Sequence, residues 1–110
     1  MRPRASAVRP RRASYLRAGR LVPKRPRGLR ARSVRLAPGG IMDWHSTRER
    51  EELLIVLSGT MRVQVARANG TTAGIRLRQG QTLFLPKATR HRVMNRTRAT
   101  TDYIYVTGAA

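Results

Sequence analysis

The sequence contains no cysteine, few acidic residues and no long apolar run. The absence of cysteine excludes disulfide bonds, thiolate metal sites and a disulfide-stapled secreted fold. No apolar stretch is long enough to span a bilayer, and the N-terminus lacks the apolar segment of a secretory signal. A soluble cytoplasmic protein is therefore expected, and a length of 110 residues fits a single domain.

Positive charge is concentrated towards the N-terminus. Lysine and arginine number 24 against 5 acidic residues, which gives a net charge of +19. Residues 1–36 hold 13 of the cations and no acid, so the remaining chain is only moderately basic. Arginine accounts for 22 of the 24 cations. Because arginine codons are GC-rich, this excess is a weak guide to binding partners.

Residues 1–27 are rich in arginine, proline, alanine and serine, and four prolines interrupt any helix. This composition buries too little apolar surface to offset the entropy lost on ordering. We predict an Arg/Pro-rich disordered tail, in which only "SYLRAGRLV" is expected to dock. The tail could be a nucleic-acid-binding arm, a mitochondrial transit peptide or a solvated extension from an over-extended gene start.

Residues 28–110 show the patterns of a folded β domain. Hydrophobic alternation and short apolar runs predict eight strands separated by turns, with no convincing helix. Asn69–Gly70 is a strong hairpin signal because both residues tolerate positive φ. The fold class is therefore all-β, an antiparallel sandwich or barrel. The predicted strands lie in "LRARSVRLA", "IMDWHST", "EELLIVL", "TMRVQVAR", "GIRLR", "TLFLP", "HRVMNR" and "TDYIYVT".

Two histidines and one glutamate form a candidate site. If "IMDWHST" pairs with "EELLIVL" through a turn, Thr47 lies opposite Glu52 and His45 lies diagonal to that carboxylate. Alternation also places Asp43 on the same face. The only other histidine, His91, begins a later strand. Two histidines and a carboxylate are the ligand set of a facial triad, which leaves coordination positions open.

The spacing of these residues matches the first of two motifs of a known family. That motif runs Gly, five residues, His, one residue, His, three or four residues, Glu, six residues, Gly. Gly39, His45, Glu52 and Gly59 fall at these spacings, and Thr47 stands where the second histidine belongs.

The second motif follows at a normal distance. It runs Gly, five residues, Pro, one residue, Gly, two residues, His, three residues, Asn. Gly80, Pro86, His91 and Asn95 match it, with Ala88 in place of the middle glycine. Over about residues 30–110 the sequence thus resembles a small single-domain cupin of type 2.

The resemblance implies a cupin antiparallel β-barrel (a double-stranded β-helix, or jelly roll) that holds one divalent metal ion through three histidines and a glutamate. Carried over to this chain, the ligands would be His45, Glu52 and His91, and the ion could be iron, manganese, zinc or nickel. Because a threonine hydroxyl is a poor ligand for such ions, the site either works with three protein ligands or is a metal-free polar pocket. Further pocket candidates are Asp43, Thr47 and Asn95.

Three functions are compatible with these patterns. The first is a metal-dependent enzyme acting on a small polar molecule, and the second is a ligand-binding cupin with a vestigial metal site. The third, a nucleic-acid-associated protein, rests on the basic tail only and is not favoured, because no helix-turn-helix pattern is present. The family's functions are diverse, so the fold does not choose between an enzyme and a binding protein.

The run "ELLIVL" predicts a homodimer. Alternation points Leu54 and Val56 inwards, yet Leu53, Ile55 and Leu57 on the opposite face are also apolar. A strand whose outer face meets water should carry polar residues there. An opposing sheet could cover this face, but a second copy of the chain would do so as well.

Overall fold

The computed structural model of the chain describes residues 12–24 and 28–109. These residues form an all-β domain, and they include no helix with the length and hydropathy needed to cross a membrane. All eight strands predicted from the sequence are present, preceded by one short additional strand. The strands are β1 (Gly19–Arg20), β2 (Arg30–Leu36), β3 (Ile41–Ser46), β4 (Arg50–Ser58), β5 (Thr60–Ala66), β6 (Thr72–Arg78), β7 (Thr82–Leu85), β8 (Arg90–Met94) and β9 (Thr101–Ala109).

The strands form two antiparallel sheets. One has five strands in the order β1-β2-β9-β4-β7, and the other has four in the order β3-β8-β5-β6. Alternating side chains of both sheets meet in one apolar core, as expected for a sandwich-like barrel. The buried members of this core are Leu36, Leu54, Val56, Met61, Val63, Leu77, Leu85, Val93 and Tyr103.

The predicted pairing of the third and fourth strands is wrong. β4 is hydrogen-bonded along one edge to β9 and along the other to β7, so it has no edge left for β3. β3 pairs instead with β8 in the opposite sheet. The chain crosses between the sheets in a tight turn, where the N–H of Arg50 donates to the carbonyl of Thr47 at 3.1 Å. Consequently the side chains of β3 and β4 approach each other across the barrel interior.

The hairpin between β5 and β6 confirms the turn predicted at Asn69–Gly70. Gly70 has a φ of 85°, and the side-chain oxygen of Asn69 accepts a hydrogen bond from the N–H of Thr71 at 3.1 Å. The turn fixes the register, so that Val63 lies opposite Ile75 and both point into the barrel. A one-residue slip would turn these apolar side chains to solvent.

The turn between β4 and β5 is a point of close approach. Gly59 has a φ of 80°, a conformation that side chains with a Cβ rarely adopt. A Cβ built on this residue would lie 2.8 Å from the carbonyl oxygen of Thr100 and 2.8 Å from Oγ1 of Thr101. Only glycine therefore fits this turn without displacement of the loop that precedes β9.

Part of the predicted tail docks on the barrel edge. β1 pairs with β2 through Gly19 opposite Ser33, and the N–H of Leu21 donates to the carbonyl of Ala31 at 2.7 Å. This is the segment in which docking was expected. The rest of the predicted disordered tail, residues 1–11 and 25–27, lies outside the described residues, and the boundary at residue 28 stays a prediction.

Candidate metal centre

The three candidate ligands come from both sheets. His45 on β3 and His91 on β8 are register partners in the four-stranded sheet, and their ring centroids lie 4.3 Å apart. Glu52 lies on β4 of the five-stranded sheet and faces them across the barrel. One ligand atom from each of the three side chains lies within 4.8 Å of the others. The group can therefore contact a single ion.

Both imidazoles are oriented by backbone carbonyl groups. Nδ1 of His45 lies 2.7 Å from the carbonyl oxygen of Asp43, and Nδ1 of His91 lies 3.1 Å from that of Thr89. Because a carbonyl oxygen only accepts, Nδ1 must be the donor in each ring. In the neutral ring this leaves a lone pair on Nε2. A backbone carbonyl on one nitrogen and a metal on the other is the usual arrangement of metal-binding histidines.

The contact between His91 and Glu52 calls for a positive charge. Nε2 of His91 lies 2.9 Å from Oε2 of Glu52, and both residues are buried, at 1% and 7% exposure. With His91 neutral, two acceptors face each other and the buried oxygen has no hydrogen-bond partner. Either a second proton on His91 or a cation shared by the two atoms resolves this conflict.

The electrostatics of His91 agree with this requirement. Burial lowers its pKa, but the hydrogen bonds to Glu52 and to the carbonyl of Thr89, together with the charge of Glu52, outweigh burial and raise the pKa above its usual value. The site thus favours a cation, either a proton or a metal ion. Two imidazole nitrogens and one carboxylate suit divalent transition metals, so the residues present fit such an ion.

The candidate ligands open onto a cavity of about 740 Å³ between the two sheets. Besides the candidate ligands, it is lined by Tyr103 and Tyr105 of β9 and, from the N-terminal segment, by Arg20, Val22, Pro23 and Lys24. Burial, then the charges of Glu52 and Tyr105, raise the pKa of Tyr103. Its hydroxyl therefore stays protonated and can donate a hydrogen bond near the candidate ligands.

The comparison with known families agrees with this architecture. The sequence model of the cupin domain family matches residues 32–107, which is more than half of the chain. The chain belongs to the cupin family. No curated protein sequence matches it.

Solved structures similar to this cupin share its fold at low sequence identity. The cupin domain of Schizosaccharomyces pombe Cnp3 superposes with a TM-score of 0.72 at 17% identity, over 84% of this chain and 64% of that one. An oxalate oxidase gives 0.70 at 20%, over 74% and 42%. The Drosophila melanogaster CENP-C domain gives 0.70 at 16%, over 83% and 65%. The chain thus spans less than two thirds of the length of each of these chains.

Thr47, which replaces a histidine of the first cupin motif, is occupied by structural hydrogen bonds. Its hydroxyl donates to the carbonyl of Pro86 at 2.8 Å and accepts from the N–H of Thr89 at 2.9 Å. Thr89 is also the residue whose carbonyl orients His91. Thr47 lines the cavity, but its main effect there is to hold the loop that positions a candidate ligand.

Asp43 does not line the cupin cavity. The pairing of β3 with β8 shifts register between Met42 and His45, which is a β-bulge. The bulge interrupts strict alternation, so that Met42 and His45 both line the cavity. The Asp43 carboxylate instead accepts a hydrogen bond from the N–H of Trp44 at 2.7 Å. No feature of the sequence marks the bulge.

Asn95, the last residue of the second motif, also lies away from the cavity. It is 1% exposed, and its amide donates to the carbonyls of Leu36 at 2.9 Å and Ala99 at 2.8 Å. Its oxygen accepts from the N–H of Thr97 at 3.0 Å and from its hydroxyl at 2.7 Å. All four hydrogen-bonding positions of the amide are used. Asn95 therefore holds the loop between β8 and β9.

The second departure from the motifs is visible in the backbone. Ala88 replaces a glycine and has a φ of 57°. Its N–H donates to the carbonyl of Arg48, itself at a φ of 55°, at 2.7 Å. This bond joins the β3–β4 turn to the β7–β8 loop beside the candidate metal centre.

Proposed function

We propose that this cupin holds one divalent metal ion with His45, Glu52 and His91, and binds or transforms a small polar molecule in the adjacent cavity. One observation carries the proposal. Both imidazoles donate from Nδ1 to backbone carbonyls, which leaves their Nε2 lone pairs free, and Nε2 of His91 lies 2.9 Å from the buried carboxylate of Glu52. Three protein ligands would leave coordination positions of the ion open. At these positions the ion would act as a Lewis acid on a bound molecule.

The residues around the ligands have separate tasks in this proposal. The carbonyls of Asp43 and Thr89 keep the imidazoles in the tautomer that exposes Nε2. Tyr103 offers a hydroxyl that remains protonated beside Glu52. The apolar residues behind the site, such as Leu54 and Val93, exclude water from its inner side.

The metal proposal is tested by reconstitution. Wild-type protein purified without a His-tag should take up one divalent ion per chain, measured by elemental analysis after dialysis. Glu52→Gln should lose most of this uptake, because it removes the only anionic ligand. Glu51→Gln is the matched control, since Glu51 is exposed and lies beside Gly108 on the outer side of the sheet. Equal uptake by wild type and Glu52→Gln would contradict the assignment.

The alternative is a ligand-binding cupin with a vestigial metal site. The observation that favours it is the hydroxyl of Thr47, which occupies a ligand position of the motif and is already engaged in two hydrogen bonds. A second proton on His91 would then satisfy Glu52. In that case wild-type protein takes up no divalent ion, and the cavity binds its molecule without metal.

A homodimer is part of the proposal. On the outer face of the five-stranded sheet, Leu53 is register partner to both Phe84 and Val106, and Ile55 to Ile104. Leu53 and Phe84 are exposed, at 36% and 55%. A continuous apolar face on adjacent strands is self-complementary about a two-fold axis.

A cytoplasmic location and the absence of a nucleic-acid partner stay predictions from the sequence.

The dimer prediction is tested by light scattering. Wild type should have the mass of two chains at micromolar concentration. Phe84→Lys combined with Leu53→Lys should give monomers, because two like charges would be buried at the interface. Ile41→Lys is the control: Ile41 is 54% exposed, but it lies on the other sheet. A monomeric wild type, or a dimer that survives the double substitution, would refute this interface.

A further inference from the structure

The cavity beside the metal centre is strongly cationic. Among the described residues that line it, the only acid is Glu52, which belongs to the metal centre. The cations outnumber it six to one. They are Arg20, Lys24, Arg30, Arg32, Arg48 and Arg50.

Two of the three arginines of β2 lie on the face that carries apolar residues further along the strand. Alternation along β2 puts Arg30, Arg32, Val34 and Leu36 on one face. Val34 and Leu36 pack in the core, whereas Arg30 and Arg32 line the cavity opposite Thr107 and Tyr105. The inner face of this strand thus changes from apolar to cationic at the cavity.

Arg50 is held in place by neutral groups. Its Nε donates to Oγ1 of Thr107 at 2.9 Å, and its Nη2 donates to the carbonyls of Thr107, at 3.0 Å, and Gly28. None of these partners carries a charge. Arg30 lines the same cavity as Arg50. Guanidinium groups that share a cavity repel one another, and an anion between them would offset that repulsion.

We propose that the cavity binds a small anion carrying a carboxylate or phosphate group, held by Arg30, Arg32 and Arg50. Guanidinium groups recognise both through paired N–H donors. The anion site itself does not depend on the proposed function. Only the coupling between the anion and a bound metal ion rests on that proposal. If both hold, the anion also offsets the repulsion between a divalent ion and six cations. Each should then strengthen binding of the other, because linkage is reciprocal.

The test uses the full chain, first without metal. Succinate and inorganic phosphate are titrated by calorimetry at constant ionic strength, with succinamide as the neutral isostere of succinate. We expect succinate or phosphate to bind and succinamide not to bind. Whichever of the two binds identifies the anionic group.

Arginine variants separate a site from general charge. Arg32→Gln and Arg50→Gln should each weaken anion binding about tenfold, as expected for one charge-assisted contact. Arg98→Gln makes the same change of charge on an exposed loop and should leave the Kd within about twofold. Because Arg32 is exposed, its replacement should not impair folding.

The outcomes distinguish this inference from the proposed function. Equal binding of succinate and succinamide, or equal weakening by Arg98→Gln and Arg32→Gln, overturns the inference. If the protein takes up metal but binds neither anion, the anion inference is overturned and the metal proposal is supported. Anion binding with the expected variant pattern, but without metal uptake, supports the inference and overturns the metal proposal.

Discussion

His91→Ala should abolish the thermal stabilisation that a divalent ion gives the wild-type protein. An ion that binds only the folded state adds about 2.7 kcal/mol of stability when its free concentration is 100 times Kd. For a domain of this size that corresponds to about 10–20 °C in Tm. His91 supplies one of three ligands and contacts a second, Glu52, so its loss should reduce this shift to near zero.

The readout is the difference between two melting curves. His91 is buried and bonds to the carbonyl of Thr89, so alanine should lower Tm even in chelator. Each protein is therefore melted with excess ion and with chelator, and only the ion-dependent shift is compared. Glu51→Gln should keep the shift of the wild type. A full shift in His91→Ala would show that the ion binds elsewhere.

Gly59→Ala should destabilise the fold by about 2–5 kcal/mol. The left-handed conformation costs a residue with a Cβ roughly 1–2 kcal/mol, and forcing a methyl into a packed site adds about 1–3 kcal/mol. The contacts are with the carbonyl of Thr100 and with Thr101, which is fully buried and donates to the carbonyl of Thr60. Denaturant unfolding measures the loss.

Gly70→Ala is the control for the steric part of this effect. Gly70 has a φ of 85°, close to that of Gly59, but no atom lies within 4 Å of its Cβ position. It should therefore show only the backbone cost, about 1–2 kcal/mol. If both variants lose the same stability, the close approach at Gly59 contributes nothing and the turn tolerates a side chain.

Local patterns predicted the strands well, and they singled out three candidate ligands whose binding of a metal stays a proposal. Alternation in "TMRVQVAR" and the Asn69–Gly70 turn specify a hairpin through neighbouring residues alone, and the structure has that hairpin. The candidate ligands His45, Glu52 and His91 were found through motif spacing, and the structure brings them together. Their proximity did not depend on the strand pairing from which we first inferred it.

Non-local features escaped prediction. Strands that are distant in the sequence compete to pair with β4, and local patterns do not show which of them wins. Both faces of β4 are apolar, which fits a central strand of a sheet as well as it fits one strand of a hairpin. The bulge before His45 removed Asp43 from the cavity, because one extra residue reverses alternation. Arg30 and Arg32 looked like part of a general arginine excess until the sheet placed them on the inner face.

One wall of the cavity comes from outside the region that the cupin family model matches. The family match begins at residue 32, whereas Arg20, Val22, Pro23 and Lys24 line the cavity from an earlier segment. A sequence comparison restricted to residues 32–107 therefore includes the candidate metal ligands and omits the part of the cavity wall formed by residues 20–24. Two cupins with matching ligand motifs can therefore differ in the molecules that their cavities bind. Ligand preference in this chain has to be measured with residues 20–24 attached, since it cannot be inherited from the barrel alone.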